Sequence, residues 1–374
     1  MKTQLLNLRI KHKPPVKIHI GYNCIFENLK TCNLQNKTIF IITQKNLLDQ
    51  YTTPIQEFLT QQFNASCHII CCANGEQAKS IASYESCMDK IFDIGVERHD
   101  VIIGIGGGVI TDLAGFIASS CLRGLTLIQI PTTLLAQVDA AIGGKTGINH
   151  KTGKNLIGSF YQPQHIIIDL ITLKTLAFDE FKSGFGEVLK YAFICDETLF
   201  TFLNTHASKL KSFDITKHLD LFNTVITRSC QNKIDVVQAD EQESNLRAIL
   251  NFGHTIGHAI EAMFNYNTYK HGFCVVFGMC AATYIAQKKG LISESYATEI
   301  YELIKLYDYH QISLAKLNKP DLIQLLKRDK KVKQKVIRFI LSTGKSKVEI
   351  FDDVSINEIY DSIDFIEDFF KGDS

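Results

Sequence analysis

The first half of the chain alternates short β-branched runs with stretches of helical spacing. Thr38 to Thr43 (TIFIIT), Val101 to Ile105 (VIIGI), Thr126 to Ile130 (TLIQI) and His165 to Asp169 (HIIID) are nearly continuous apolar runs. Runs of that kind fit strands buried on both faces of a sheet. Between the first two, Ser80 to Gly95 predicts a helix with Ile81, Met88, Ile91, Phe92 and Ile94 available for one side. Strand–helix–strand repetition predicts an α/β domain with a parallel sheet.

After about residue 175 the strand pattern nearly disappears. Leu199 to Leu210, Ile215 to Val237, His254 to Phe264, Val275 to Lys288, Ser295 to Leu306 and Asp321 to Arg328 all predict helices. A short β-like return, Val336 to Leu341 and Lys347 to Phe351, precedes a final amphipathic helix from Ile356 to Phe370. The chain of 374 residues therefore divides into an α/β domain over 1–175 and a mainly α-helical domain over 176–374. Two domains also suit a length well beyond the ~150 residues of one.

Composition narrows the function classes. Lys plus Arg number 40 against 39 Asp plus Glu, a formal net charge of +1. That balance supplies no whole-protein field for nucleic acid or a membrane surface, so any bound anion must meet a local cluster of cations. The N-terminus, MKTQLLNLRIKHKPP, lacks an apolar h-region, and no run reaches the roughly 18 apolar residues of a membrane span. The stretch Phe273 to Ala286 contains Gly278 and Thr283 and reads as a buried helix. Eleven cysteines are scattered, odd in number and without a CxxC pair. Cys67, Cys71 and Cys72, the only local group, read as reduced packing residues, and the expected compartment is the cytoplasm.

Four segments carry candidate chemistry. GIGGGVITD, Gly104 to Asp112, follows a strand and opens a helix. Glycines there let backbone N–H groups approach a pyrophosphate at a helix N-terminus; a turn needing positive φ would require only one or two. Asn74-Gly75-Glu76-Gln77 lies where a second loop could flank a nucleotide. The loop-rich stretch Gln129 to Gly158 carries Asp139, Lys145, Lys154 and Asn155 and is nearly free of acidic groups, which suits a phosphate or carboxylate. Ser183 to Ile194 places Glu187 and Lys190 three apart among apolar residues, where a semi-buried carboxylate wants a cation or metal. In Asn245 to Glu261, one continuous helix would align Arg247, Asn251, His254 and His258 on a single face. By spacing alone His254 and His258 would both be metal ligands. Lys233, Asp240, Glu241 and Glu243 precede this segment, and Lys330 and Lys331 form a further basic pair.

In order along the chain, NGEQAK, GGGVITDLAGF, QIPTTLLAQVDAAIGGKTGINHKTGKNLIGSFYQP, LKTL, SGFGEVLKY, ADEQESNLRAILNFGHTIGHAIE, HGFCVVFGM and RDKKV resemble the 3-dehydroquinate synthase family of sugar-phosphate cyclases. The matching strings span about residues 74 to 332. The resemblance implies an N-terminal NAD domain and a helical domain holding one divalent metal, zinc or cobalt. It makes Glu187, His254 and His271 the metal ligands and moves His258 to a catalytic or substrate-contacting role. The NAD contacts it implies are Asn74, Gly75, Glu76, Lys79, Gly106, Gly107, Gly108, Val109, Asp112, Thr132, Thr133, Lys145, Lys154, Leu173, Lys174 and Thr175. Around the substrate it implies Asp139, Lys145, Asn155, Lys190, Lys233, Glu243, Arg247, Asn251, His258 and Lys330 or Lys331. Arg123 would reach a neighbouring subunit, which implies a homodimer.

The implied reaction takes the sugar phosphate DAHP (3-deoxy-arabino-heptulosonate 7-phosphate) to 3-dehydroquinate by oxidation, phosphate elimination, re-reduction, ring opening and aldol closure. A related cyclase acting on another sugar phosphate, or a metal-dependent polyol or glycerol dehydrogenase, are the alternatives. Three positions depart from the family's habit. Gln44 stands where Asp or Asn is frequent, Gly186 where alanine is common, and Thr111 where glycine is common.

Overall fold

The computed structural model describes residues 3–328 and 337–371. The chain forms two compact units, 1–176 with 233–242, and 177–232 with 243–374.

The first unit contains β1 (Gln4–Leu8), β2 (Val16–Gly21), α1 (Ile25–Leu29), β3 (Thr38–Gln44), α2 (Thr53–Phe63), β4 (Ser66–Cys72) and α3 (Ile81–Ile94). It continues through β5 (Val101–Gly106), α4 (Gly108–Ser120), β6 (Thr126–Pro131), β7 (Lys145–His150), β8 (Gly153–Phe160) and β9 (His165–Asp169). Seven strands form one sheet in the order β1-β2-β9-β6-β5-β3-β4. All neighbours are parallel except β1 and β2. The four strands expected from the apolar runs form the centre of this sheet. Their alternate residues feed two cores: Ile39, Ile41, Ile103 and Ile105 pack with Leu29, Ile55, Leu59 and Phe63 on one face. Phe40, Ile42 and Ile102 pack with Ile91, Ile110, Leu113 and Ile117 on the other. Burial on both faces removes the need for polar alternation, which is why these strands read as continuous apolar runs.

Two local expectations are corrected, and a third point concerns the glycines after β5. The stretch Gln129 to Gly158 is not loop-rich: a turn of π-helix at Ala136–Ala140 is followed by the antiparallel hairpin β7–β8. Its glycines make the hairpin possible, since a Cβ at Gly158 would fall 2.1 Å from the Thr146 carbonyl oxygen. Helix α3 turns Cys87 and Ile91 inward and leaves Ile81, Phe92 and Ile94 exposed, so only part of the apolar side predicted for it is used. None of Gly104, Gly106, Gly107 and Gly108 has positive φ. They are required for space instead: a Cβ on Gly104 would lie 2.4 Å from Gln129 Oε1, and one on Gly106 2.7 Å from the Ile110 Cβ.

The second unit holds α5 (Phe178–Ile194), α6 (Glu197–Thr205), α7 (Ala207–Leu210), α8 (Leu219–Ala239), α9 (His254–Met263) and α10 (His271–Lys288). After them come α11 (Glu294–Leu306), α12 (Lys319–Arg328), β10 (Phe339–Gly344), β11 (Lys347–Phe351) and α13 (Ile356–Phe369). The last residues of α8, from Lys233, group with the first unit. Helix α10 is buried along most of its length, including Phe273 to Thr283. A helix apolar on every side belongs at the centre of a packed bundle. Among the described residues no helix is long and apolar enough to cross a membrane.

His19 on β2 and His165 on β9 stack with 5.4 Å between ring centroids and 3.2 Å between Nε2 and Nδ1. Burial, then the neighbouring imidazole and Lys17, push His165 down to about 4; burial and Lys17 lower His19 as well. The unfolded chain protonates His165 near the ordinary value of about 6.5, while the folded chain resists until about 4. Stability is therefore lost as pH falls through that window. Urea unfolding at pH 7 and pH 5 is expected to show the wild type losing about 1 kcal/mol more than His165→Gln. Equal losses in the two proteins would remove the pair as the source.

Candidate active site

The second unit brings three helices together through glycine. A Cβ on Gly272, in the first turn of α10, would lie 1.8 Å from the Ser183 carbonyl oxygen of α5, and one on Gly186 would lie 2.7 Å from the Gly272 oxygen. Across the other side of α10, a Cβ on Gly278 would lie 1.8 Å from the Gly253 oxygen. Gly253 itself has φ +77 and lies directly before α9. Backbone therefore meets backbone at both crossings. Each crossing places a candidate ligand beside its glycine: Glu187 after Gly186, His254 after Gly253 and His271 before Gly272.

Ligand atoms of Glu187, His254 and His271 all lie within 4.8 Å of one another. Nε2 of His254 is 3.5 Å, and Nε2 of His271 3.4 Å, from Oε1 of Glu187. The opposite ring nitrogens are held from behind. His254 Nδ1 donates to the Phe252 carbonyl oxygen at 3.0 Å, and His271 Nδ1 lies 3.2 Å from Glu261 Oε2. With Nδ1 engaged from behind, each ring directs its Nε2 at the Glu187 carboxylate, the atom that would give its lone pair to a metal once deprotonated. Burial opposes charging His271, but hydrogen bonds and charges from Glu187 and Glu261 outweigh it and push its pKa up to about 10. The pocket thus draws in positive charge. Two imidazole nitrogens and a carboxylate oxygen converging on one point are a donor set suited to a divalent transition metal.

Glu187 is completely buried, and its Oε2 pairs with Lys190 Nζ, whose residue is 1% exposed. Desolvating two such charges costs several kcal/mol per ion, so the pair is a poor device for stability and marks a site where charge is used. His258 stands with its ring centroid 5.2 Å from that of His254 and 5.9 Å from that of His271. With Glu261 and His271 it makes a second convergent group that shares His271 with the first. Asn251 donates to Glu243 Oε1 at 2.8 Å, and Arg247 is buried.

The single helix expected from Arg247 to His258 is absent. Leu246–Asn251 is a 3₁₀ helix, Phe252 is extended, and the left-handed Gly253 breaks the run before α9. The four residues are gathered by this break, not by one helical face. Glu261 was not singled out as a functional residue from the sequence, although an acid three positions after His258 among apolar residues was a readable signal; the structure buries it.

In the first unit, Lys79 is buried, and its Nζ donates to Asp112 Oδ2 at 2.6 Å and to Asn155 Oδ1. Burial raises the Asp112 pKa and Lys79 opposes that rise. Asn149, overlooked in the sequence, ties the hairpin to the 74–79 segment. Its N–H donates to the Lys79 carbonyl oxygen at 2.7 Å and its Nδ2 to Glu76 Oε1 at 2.7 Å. Gln44 adds a bond from Nε2 to the Ala73 oxygen at 3.0 Å. Gly107 caps α4 and Gly108 begins it, so the segment from Gly106 to Asp112 is a helix N-terminus as expected. Thr132 N–H bonds the Gly106 oxygen at 2.9 Å, and a Cβ on Gly107 would lie 2.9 Å from Thr133 Cγ2. Lys145 is exposed, Lys154 half-buried, and Val109 lies in the first turn of α4. Leu173, Lys174 and Thr175 form a 3₁₀ turn, where Thr175 Oγ1 lies 3.0 Å from the Tyr51 hydroxyl. Lys233 Nζ donates to Asp139 Oδ1 at 2.6 Å. Asn74 and Gly75 are exposed, as is Arg123, whose φ is +68. Lys330 and Lys331 lie outside the described residues.

The architecture is shared with two sugar-phosphate cyclases. One is a 2-epi-5-epi-valiolone synthase from Streptomyces hygroscopicus solved with NAD+ and Zn2+ bound, 23% identical, with a TM-score of 0.86 over 97% of this chain and 99% of that one. The other is a 2-deoxy-scyllo-inosose synthase complexed with carbaglucose-6-phosphate, NAD+ and Co2+, with a TM-score of 0.85, 23% identity and the same coverage. Family models described as 3-dehydroquinate synthase N-terminal and C-terminal match residues 69–183 and 184–332. A 3-dehydroquinate synthase from Rippkaea orientalis is 42% identical over 362 residues, 93% of this chain and 97% of the relative. The chain belongs to the 3-dehydroquinate synthase family.

The close helix crossing yields a direct test. Gly272→Ala must separate α10 from α5, and overpacking of this kind costs about 1–3 kcal/mol. A fall of several degrees in the thermal midpoint is expected, and an unchanged midpoint would show that the crossing tolerates a side chain.

Proposed function

We propose that this chain catalyses the 3-dehydroquinate synthase reaction, converting DAHP to 3-dehydroquinate and inorganic phosphate as a phosphate-eliminating carbon–oxygen lyase. The proposed cofactors are NAD and one divalent metal, zinc or cobalt, working in a cytoplasmic homodimer. The observation that carries this reading is the convergence of Glu187, His254 and His271, each imidazole fixed through Nδ1 so that Nε2 faces the carboxylate. Family membership over most of the chain and eleven free cysteines, which suit a reducing compartment, support it.

Bound there, NAD supplies a hydride acceptor and donor that is restored in each turnover, and the metal supplies Lewis acidity toward the alcohol being oxidised. Glu187, His254 and His271 hold the metal. Glu261 orients His271, and the Phe252 carbonyl orients His254. Lys190, Arg247, Lys233 and Lys145 supply the cations that a phosphate and a carboxylate demand. Asp139, Asn155, Glu243, Asn251 and His258 place hydrogen-bonding groups around the sugar. Lys79, Glu76 and Asp112, with the N-terminus of α4, form the nucleotide cradle, into which a phosphate fits at Gly106 to Gly108. The two domains proposed are an NAD-binding one over 1–175 and a metal- and substrate-binding one over 176–374.

The deciding assay is phosphate release from DAHP by protein loaded with NAD and metal. Stoichiometric phosphate without net NADH is expected, lost on chelation and restored by Zn2+ or Co2+. Net NADH would instead point to a dehydrogenase, and absence of phosphate would sink the proposal. Glu261→Gln tests the orienting role without turnover. Competition with a chromophoric chelator should show metal affinity 10–100-fold weaker, the range for lost support behind a ligand. Unchanged affinity would remove Glu261 from the centre.

A further inference from the structure

Cys72, the last residue of β4, and Cys87, in the second turn of α3, place their sulfurs 3.6 Å apart. Cys87 is buried and Cys72 half-buried. They lie 15 positions apart in sequence. The segment joining them contains Asn74 to Lys79, the residues tied to Asp112, Asn149 and Asn155. The pair is also asymmetric. The hydrogen bond from Cys72 lowers the Cys87 thiol, with Lys90 adding to the effect, whereas Cys72 is raised by that bond and by burial. Two thiols held in contact, one lowered and the other raised, can act as an attacking and a resolving group.

We propose that Cys72 and Cys87 are a peroxide-oxidised dithiol whose disulfide closes the 73–86 segment into a ring. The Cys87 thiolate attacks hydrogen peroxide, breaking the O–O bond; Cys87 becomes a sulfenic acid, and the departing hydroxide takes up a proton to become water. Cys72 sulfur then displaces the sulfenic hydroxyl, which leaves as a second water with the Cys72 proton. Two thiols lose two electrons and two protons, and the peroxide is reduced to two waters. Forming the bond draws the sulfurs to about 2.05 Å, which pulls α3 toward the end of β4. Lys79 and Ser80 connect directly into α3, so that movement disturbs the Lys79–Asp112 pairing. This second consequence rests on the nucleotide reading given above and predicts weaker NAD binding.

The test treats the full-length protein with hydrogen peroxide, alkylates remaining thiols and maps peptides by mass. A Cys72–Cys87 crosslink 2 Da lighter than the paired thiols, reversed by dithiothreitol, is expected in wild type and Cys71→Ser. It should be absent in Cys72→Ser and Cys87→Ala. No crosslink in wild type, or one formed preferentially elsewhere, overturns the proposal without any variant having to fold. NAD titration of reduced and oxidised wild type should show at least a threefold weakening after oxidation. An unchanged affinity overturns the link to the nucleotide segment. Reduced protein that binds no NAD overturns the nucleotide reading instead, and the peptide map alone then judges the dithiol.

Discussion

Three helices, α5 with Glu187, α10 and α9, meet at distances that only glycine permits, and the arrangement of the second unit depends on those crossings. Gly272 and Gly186 let α10 and α5 touch backbone to backbone, and Gly278 and Gly253 do the same for α10 and α9. A side chain at either crossing would move a helix by more than the tolerance of a metal–ligand bond. Glu187, next to the α5–α10 crossing, is fully buried and must be matched by charge. Lys190 supplies part of that match, and the imidazoles of His254 and His271 face the same carboxylate.

The near-neutral composition has a similar local consequence. A chain with a net charge of +1 cannot draw an anionic ligand through its overall field, so its cations must be placed one by one. Three of its buried lysines are each paired with a carboxylate: Lys79 with Asp112, Lys233 with Asp139 and Lys190 with Glu187. The first unit brings its paired charges together on a different scaffold. Its sheet is buried on both faces, and the segments beyond the strand ends, together with hairpin β7–β8, present Lys79, Asp112 and Asn155 to one another.

Much of this was legible in the order of residue types. Four apolar runs marked the central strands because burial on both faces leaves a pattern without alternation. The edge strand β1 was harder to read, since partial exposure mixes polar residues such as Gln4 and Asn7 into it. The hairpin β7–β8 was hidden by its glycines, which resemble loop punctuation but serve cross-strand contact between Gly147 and Gly158. The glycine run at Gly104 to Gly108 was recognised in the right place, and the turn reading set aside there is excluded: none of its residues has positive φ, and they pack against Gln129, Ile110, Thr133 and Ala140.

The sequence by itself determined the class of each unit, the helix N-terminus after β5, and the motifs that carry the family resemblance, because these depend on residues close in the chain. Only the tertiary structure decided how Glu187, His254 and His271 meet, since they belong to three helices and no single periodicity relates them. It also replaced a continuous helix from Arg247 to His258 with a 3₁₀ turn, a left-handed glycine and a new helix start. Local spacing cannot foresee such a break, because the reason for it is the backbone of α10 on the far side of Gly253.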